Sequence, residues 1–223
     1  MKKTISLAMA AATMLAASIG FAAPLNDYSA GKTAVDITFR EDDVAYKGPG
    51  YDVSFDKKNN VEWGITTGLG NNFAIQYIGY DTKTKNTYVA DFGTSGKGEL
   101  KTSEYNLLYK IDEHVAAYAG IVQSKWTISG DGFDSSSTDN KSKVQLGVIG
   151  STKIADKTTA YASFAVASDV TNWKLGVSQE IAPNIDINLD YRYLKVKNLT
   201  GNDFSDKVDV TAKGLGLGVT YKF

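Results

Sequence analysis

The chain has 223 residues, 21 Gly, 13 Tyr, three Pro, no Cys and a formal net charge of −1. That is one domain's length with a lean toward β structure. Lack of Cys excludes disulfides, thiolate chemistry, Cys-ligated metal and a lipid-bearing Cys. The net charge falls to −3 if Lys2 and Lys3 are removed, so there is no basic field to attract nucleic acid.

The N-terminus reads as an export signal. Lys2 and Lys3 precede an Ala-rich apolar stretch from Ile5 to Ile19, and Gly20-Phe21-Ala22 offers small residues for cleavage after Ala22. Residues 1–22 are therefore expected to be a signal peptide, and residues 23–223 a single domain. No other segment approaches the roughly twenty apolar residues of a spanning helix. Insertion into a membrane has to be by strands.

Along the mature chain, alternating segments follow one another. Thr33 to Arg40 sets Val35, Ile37 and Phe39 against Asp36, Thr38 and Arg40, and Val61 to Leu69 sets Val61, Trp63, Ile65 and Leu69 against Glu62, Gly64 and Thr66. The polar connection between them, Glu41 to about Asn60, contains β-like pieces such as Tyr51 to Phe55 that extend this first hairpin. Gly70-Asn71-Asn72 is a tight turn into Phe73 to Tyr80. A polar stretch from Asp81 to Glu99 follows, in which Tyr88, Ala90 and Phe92 suggest a short hairpin. Lys101 to Ile111 and Val115 to Ser129 are joined by Asp112-Glu113-His114, and the facing of the second is ambiguous between Ala117 and Tyr118.

An acidic, Ser-rich loop from Gly130 to Asn140 leads to Ser142 to Ile154 and, through Ala155-Asp156-Lys157, to Thr158 to Ser168. Trp173 to Ile181 and Ile185 to Tyr193 are joined by Ala182-Pro183-Asn184. After a loop from Asn198 to Asp206 comes the last segment, Val208 to Phe223. There Leu215, Leu217, Val219, Tyr221 and Phe223 alternate with Gly214, Gly216, Gly218, Thr220 and Lys222.

A final strand with one greasy face, ending on Phe223, resembles the C-terminal signature of bacterial outer-membrane β-barrels. The leader, the alternation of short turns with long loops and this strand together resemble the small OmpA/OmpX-like and porin-like barrels. The resemblance implies a transmembrane antiparallel up-and-down β-barrel in the outer membrane of a diderm bacterium, with Leu217, Val219, Tyr221 and Phe223 read by the barrel-assembly machinery. Ten strands are counted, although eight or twelve also fit. Short turns then lie in the periplasm and long loops outside the cell. A secreted β-sandwich or lipocalin-like barrel shares the alternation but calls for a charged exterior, without Gly lined up at Gly214, Gly216 and Gly218.

The polar faces put Asp36, Arg40, Glu62, Gln76, Glu104, Lys110, Lys143, Gln145, Lys174, Glu180, Asp186, Asp190 and Arg192 in the lumen. Buried charges of both signs have to pair. This inventory fits a narrow porin-like channel for small solutes or ions, or else a plugged barrel held by ion pairs. Partners expected are outer-membrane lipid, the assembly machinery and small solutes, with the barrel a monomer. No cofactor or metal site is expected, since Asp131, Asp134 and Asp139 lack calcium-loop spacing. Catalysis is not expected either, because the sole histidine, His114, falls in a periplasmic turn between no evident nucleophile and base. A third reading is surface adhesion or reception through the aromatics Tyr46, Tyr51, Phe55, Tyr88, Phe92 and Phe133 in the outer segments.

Overall fold

A computed structural model describes residue 25 and residues 27–89, 93–131, 133–201 and 204–223. The expected signal peptide, Ala90 and Phe92 lie outside these residues. In chain order the strands are β1 (Thr33–Gly48), β2 (Tyr51–Gly70), β3 (Phe73–Lys83), β4 (Thr87–Val89), β5 (Thr94–Lys110) and β6 (Val115–Gly130). They continue as β7 (Phe133–Ser137), β8 (Lys141–Ala155), β9 (Thr158–Val166), β10 (Val170–Ala182), β11 (Ile185–Gly201) and β12 (Phe204–Lys222).

Every pairing is antiparallel. Consecutive long strands pair with one another, β3 with β5 and β6 with β8 among them, and β12 pairs back onto β1. The ladder therefore returns to its start, and no long strand keeps an open edge. The terminal residue takes part in this closure, since Phe223 N–H donates to Thr33 O at 2.8 Å and Thr33 N–H donates to Phe223 O at 2.7 Å.

The twelve strands occupy ten lanes. Strand β4 continues the course of β3 along β5, and β7 continues that of β8 along β6. At each of the two breaks a buried threonine replaces the missing ladder bonds. Thr84 N–H donates to Gly98 O at 3.0 Å while its Oγ1 accepts Gly98 N–H at 2.8 Å. Likewise, Thr138 N–H donates to Trp126 O at 2.8 Å and its Oγ1 accepts Trp126 N–H at 3.0 Å. Short breaks of this kind leave few buried backbone groups unpaired.

The tight turns have the chemistry their residues favour. Gly70, Asn71, Asn72 and Asn184 all adopt positive φ, which Gly and Asn tolerate. Asp112 Oδ1 accepts His114 N–H at 2.7 Å and Val115 N–H at 2.8 Å, so this carboxylate shapes the turn.

Strand length decides how far the wall rises. Strand β2 has 20 residues and β12 has 19, about twice the nine to eleven a tilted strand needs to cross the hydrocarbon. The surplus rises beyond the membrane. Three segments expected as loops, Asp81 to Glu99, Gly130 to Asn140 and Asn198 to Asp206, are in large part wall. The apolar positions of the outer wall run in the opposite phase to those at the membrane.

That phase reversal is the main architectural finding. In β12, Leu215, Leu217 and Val219 face outward and are half exposed, whereas Val208, Val210 and Ala212 face inward and are buried. Strand β1 shows the same switch, from Ile37 and Phe39 outward to Val44 and Tyr46 inward. Lipid outside demands apolar residues on the outer face, and water outside demands them within. A register irregularity between Asp42 and Val44 accompanies the switch in β1. In β6, whose facing is ambiguous in the sequence, Ala117 faces lipid, while Tyr118 and, further along, Val122 and Trp126 face inward.

Exposed Ile37, Phe39, Leu107, Val144, Leu175 and Leu217 form part of a continuous apolar belt, and Val144 is 71% exposed. Such a belt is untenable in water. We expect the unboiled, folded protein to migrate differently from the boiled protein on SDS gels. Identical mobility would count against a lipid-embedded barrel.

Candidate functional site

The interior divides into three layers. The periplasmic layer is an apolar cluster of Leu25, Tyr28, Ala34, Ala74, Leu108, Ala116, Tyr118, Ile149 and Ala165. The segment before β1 enters the barrel mouth here. Tyr28 O accepts Gly70 N–H at 2.8 Å, and a Cβ on Gly68 would stand 2.3 Å from Ser29 O, so glycine admits the segment.

The middle layer is ionic. Glu62 on β2 receives Arg40 from β1 at 3.4 Å, Arg192 from β11 at 2.7 Å, and Lys174 from β10. Arg192 also binds Glu104 on β5 at 2.8 Å, and Asn172 and Gln145 bond the same carboxylate at 2.9 and 3.0 Å. Arg40 meets Asp190 at 2.5 Å. The Arg192 guanidinium lies 4.7 Å from the centre of the Tyr80 ring, and Tyr80 Oη donates to Asp42.

Glycine makes the Arg40–Asp190 pair possible. Arg40 and Asp190 flank β12, and both are in register with Gly216. A Cβ at Gly216 would lie 2.8 Å from Arg40 Cζ, so a side chain there would block the crossing. Around these groups remains a cavity of about 90 Å³ bordered by Asp36, Glu62, Lys174, Asn188 and Asp190. This is room for a few waters.

The third layer fills the wall beyond the membrane. Val44, Tyr46, Phe55, Leu100, Trp126 and Leu194 are among its buried side chains. Trp126 is 0% exposed, stacks on Tyr46 with ring centres 5.6 Å apart, and lies so close over Gly98 that a Cβ there would overlap its ring. This layer is a soluble-type β core set on top of a membrane barrel.

The expected lumen residues separate accordingly. Asp36, Arg40, Glu62, Glu104, Lys174, Asp190 and Arg192 come together in the ionic layer, Gln145 joins it directly at Glu104, and Gln76 is linked to Gln145 through Asn106. Asp186 lies nearer the periplasm, paired with Lys222 at 2.5 Å. Glu180 stands beside the β8–β9 turn, where its N–H donates to Lys157 O. Lys110 borders a small hollow at the periplasmic mouth with Tyr28 and His114. Lys143 sits at the opposite end, 3.4 Å from Asp169.

Sequence reasoning missed Asp42, Tyr80 and Asn172. Asp42 was read into a connection although the spacing Arg40, Asp42, Val44, Tyr46 continues one face unbroken. Of the aromatics expected on outer loops, Tyr46 and Phe55 are buried in the outer core, whereas Tyr88 is 67% exposed. The side chain of Phe133 is not among those described.

Outside the membrane, the low β9–β10 turn is clamped to its neighbours. Asp169 accepts Asn198 Nδ2–H at 2.8 Å and meets Lys141 at 2.9 Å. Lys141 Nζ also donates to the carbonyls of Lys197 and Asn198. The Asn198 hydrogen bond, then Lys141, lowers the Asp169 carboxyl to about 2.

No family model and no curated protein sequence matches the chain. Solved structures do. OmpT, an outer-membrane protease of Escherichia coli, is 12% identical at a TM-score of 0.60, covering 86% of this chain and 97% of its own. The fold is that of a bacterial outer-membrane β-barrel. Ail, the attachment invasion locus protein of Yersinia pestis, solved with a heparin analogue, is 18% identical at a TM-score of 0.43, with 86% and 99% covered. Neisserial surface protein A is 19% identical at 0.42 over the same shares. The fold by itself does not choose between activities.

Two outcomes follow from this geometry. Glu62→Gln leaves Arg40, Arg192 and Lys174 short of a buried counter-charge, and should cost about 3–5 kcal/mol in urea unfolding from vesicles. Asp169 has a folded pKa below its unfolded value, so its contribution is complete above about pH 4 and is lost as pH falls toward about 2. In Asp169→Asn, the urea midpoint should lack that part of the acid dependence.

Proposed function

We propose that this outer-membrane barrel acts at the cell surface with its outside, as a sealed wall carrying a rigid extracellular β-extension that engages partners. The observation that carries this reading is the apolar core of Trp126, Leu100, Leu194 and their neighbours, which fills the barrel where a diffusion pore would open to the exterior. The ionic layer supports it. Arg40, Arg192, Lys174, Glu62 and Glu104 are spent on one another, which favours stability over ion selection.

A narrow channel for small solutes draws no support from this interior. Catalysis is not part of the reading: His114 stands at the periplasmic end, 3.7 Å from Glu113, in a turn organised by Asp112. Leu217, Val219, Tyr221 and Phe223 present a half-exposed apolar row on the closing strand, which suits recognition by the barrel-assembly machinery. Surface recognition falls to the hairpin ends, where Tyr88 is exposed.

Single-channel recording from the refolded barrel in a planar bilayer tests this reading, with the gel shift used first to verify folding. Wild type should be silent. Discrete, reproducible openings whose ion selectivity shifts in Arg40→Gln would overturn the proposal and restore the channel.

A further inference from the structure

The segment ahead of β1 turns back into the barrel. Gly31 has a φ of 87°, a left-handed backbone that L side chains rarely adopt, and Lys32 N–H donates to Ser29 O at 3.1 Å across the reversal. The chain thereby re-enters the periplasmic mouth, where Leu25 and Tyr28 are both buried. Its backbone is hydrogen-bonded to the rim of β2. Gly70 N–H donates to Tyr28 O at 2.8 Å, Gly31 N–H to Gly68 O at 3.2 Å, and Gly68 N–H to Lys32 O at 2.8 Å.

The seat for this segment is assembled from residues far apart in the chain. Ala34 on β1, Ala74 on β3, Ala116 on β6 and Ala165 on β9 are small where they surround the two anchors, and Leu108 on β5 and Ile149 on β8 complete the apolar lining. Glycine clears the rim. A Cβ at Gly68 would stand 2.3 Å from Ser29 O and 2.6 Å from the Tyr28 carbonyl carbon, so the backbone of the segment lies where any other side chain would be.

This placement ties the segment to closure of the barrel. The seat needs β1, β3, β5, β6, β8 and β9 held around one lumen, so it exists only once the ladder has returned to its start. The reversal also abuts the closing pair, because Thr33, which follows it, exchanges two backbone hydrogen bonds with Phe223. On β1 the next inward position after Ala34 is Asp36, which borders the ionic cavity. The docked segment is therefore the floor of the ionic layer.

We propose that residues 25–32 are an exchangeable plug, and that the periplasmic mouth is a binding site for an extended peptide carrying an aliphatic and an aromatic side chain three residues apart. The chain supplies that peptide itself, after the barrel has closed. Docking buries Leu25 and Tyr28 against the alanine-lined seat, and the reversal at Gly31 holds them at the mouth beforehand, which lowers the entropic cost. Docked, the plug keeps periplasmic water from the ion pairs above it. Undocking breaks none of the pairing between β1 and β12, so the plug opens locally while the barrel stays folded.

The chain has no cysteine, so Ala74→Cys, at the direct cross-strand partner of Gly68, places a single thiol in the seat. Its rate of reaction with a charged maleimide is measured on the refolded barrel, once the gel shift has verified folding. The thiol should be protected in the full chain, and deletion of residues 25–30 should speed labelling by about tenfold, as expected when a local opening becomes permanent. A short tether holds the segment at an effective concentration on the order of millimolar, so free peptide of residues 25–32 at about 1 mM should restore protection. The same peptide with Leu25→Ser/Tyr28→Ser should not. Gly31→Val, which strains the reversal, and Gly68→Ala, which blocks the seat, should each expose the thiol in the full chain. Gly68→Ala should add nothing once residues 25–30 are gone, since both changes act on one contact. If the deletion variant fails to fold, the two glycine variants decide the matter. Unchanged protection after the deletion, or in both folded glycine variants, overturns the proposal. So does equal slowing of the deletion variant by the peptide and by its serine form.

Discussion

Each strand of this barrel has to satisfy two media in succession. Below the outer boundary of the hydrocarbon, the wall faces lipid and the apolar set points outward. Above it, the same wall faces water and the apolar set points inward. A pleated strand offers only two faces, so the change is made by switching which parity of residue is apolar, helped by bulges that rephase the ladder. The positions of Asp42, Thr84 and Thr138 follow from this requirement, since the ladder is irregular near each of them.

The interior follows from the same switch. Where the outside is lipid, polar residues have to go inside, and in a ten-lane barrel they are close enough to cross-link. Arg40, Glu62, Glu104, Asp190 and Arg192 therefore pair across strands rather than face a stream of water. Removing charges from water is costly, so the network's value lies in its completeness. Where the outside is water, the interior becomes an ordinary apolar core around Trp126. The filled interior is thus a by-product of making the wall stand upright in two solvents.

An interior filled in this way directs attention to the outer surface. The extension is stiff because its core is packed and its hairpins are paired almost to their ends, with Asp169, Lys141 and Asn198 tying down its lowest side. A rigid support of this kind suits contacts made by side chains on strands, whose spacing is set by the ladder.

Alternation in the sequence determined the β architecture, a count of ten strands beside which eight or twelve also fit, the tight turns at Asn71, Asp112 and Asn184, and the identity of most inward charges near the membrane centre. Those features depend on residues two apart or on a turn of three, and such distances are local. What only the tertiary structure decided is the fate of the polar connections and the packing of the interior. Val44 and Phe55 fall in a stretch that reads as a polar connection, Trp126 and Val208 lie toward the outer ends of two other strands, and nothing along the chain says that the four meet. Their burial is a collective property. It requires knowing that the strands continue past the membrane side by side, so that water outside makes the inside the place for apolar side chains. Arg40 and Asp190, likewise, become partners through the missing side chain of Gly216 between them, a relation that register across three strands creates and spacing along the chain does not contain.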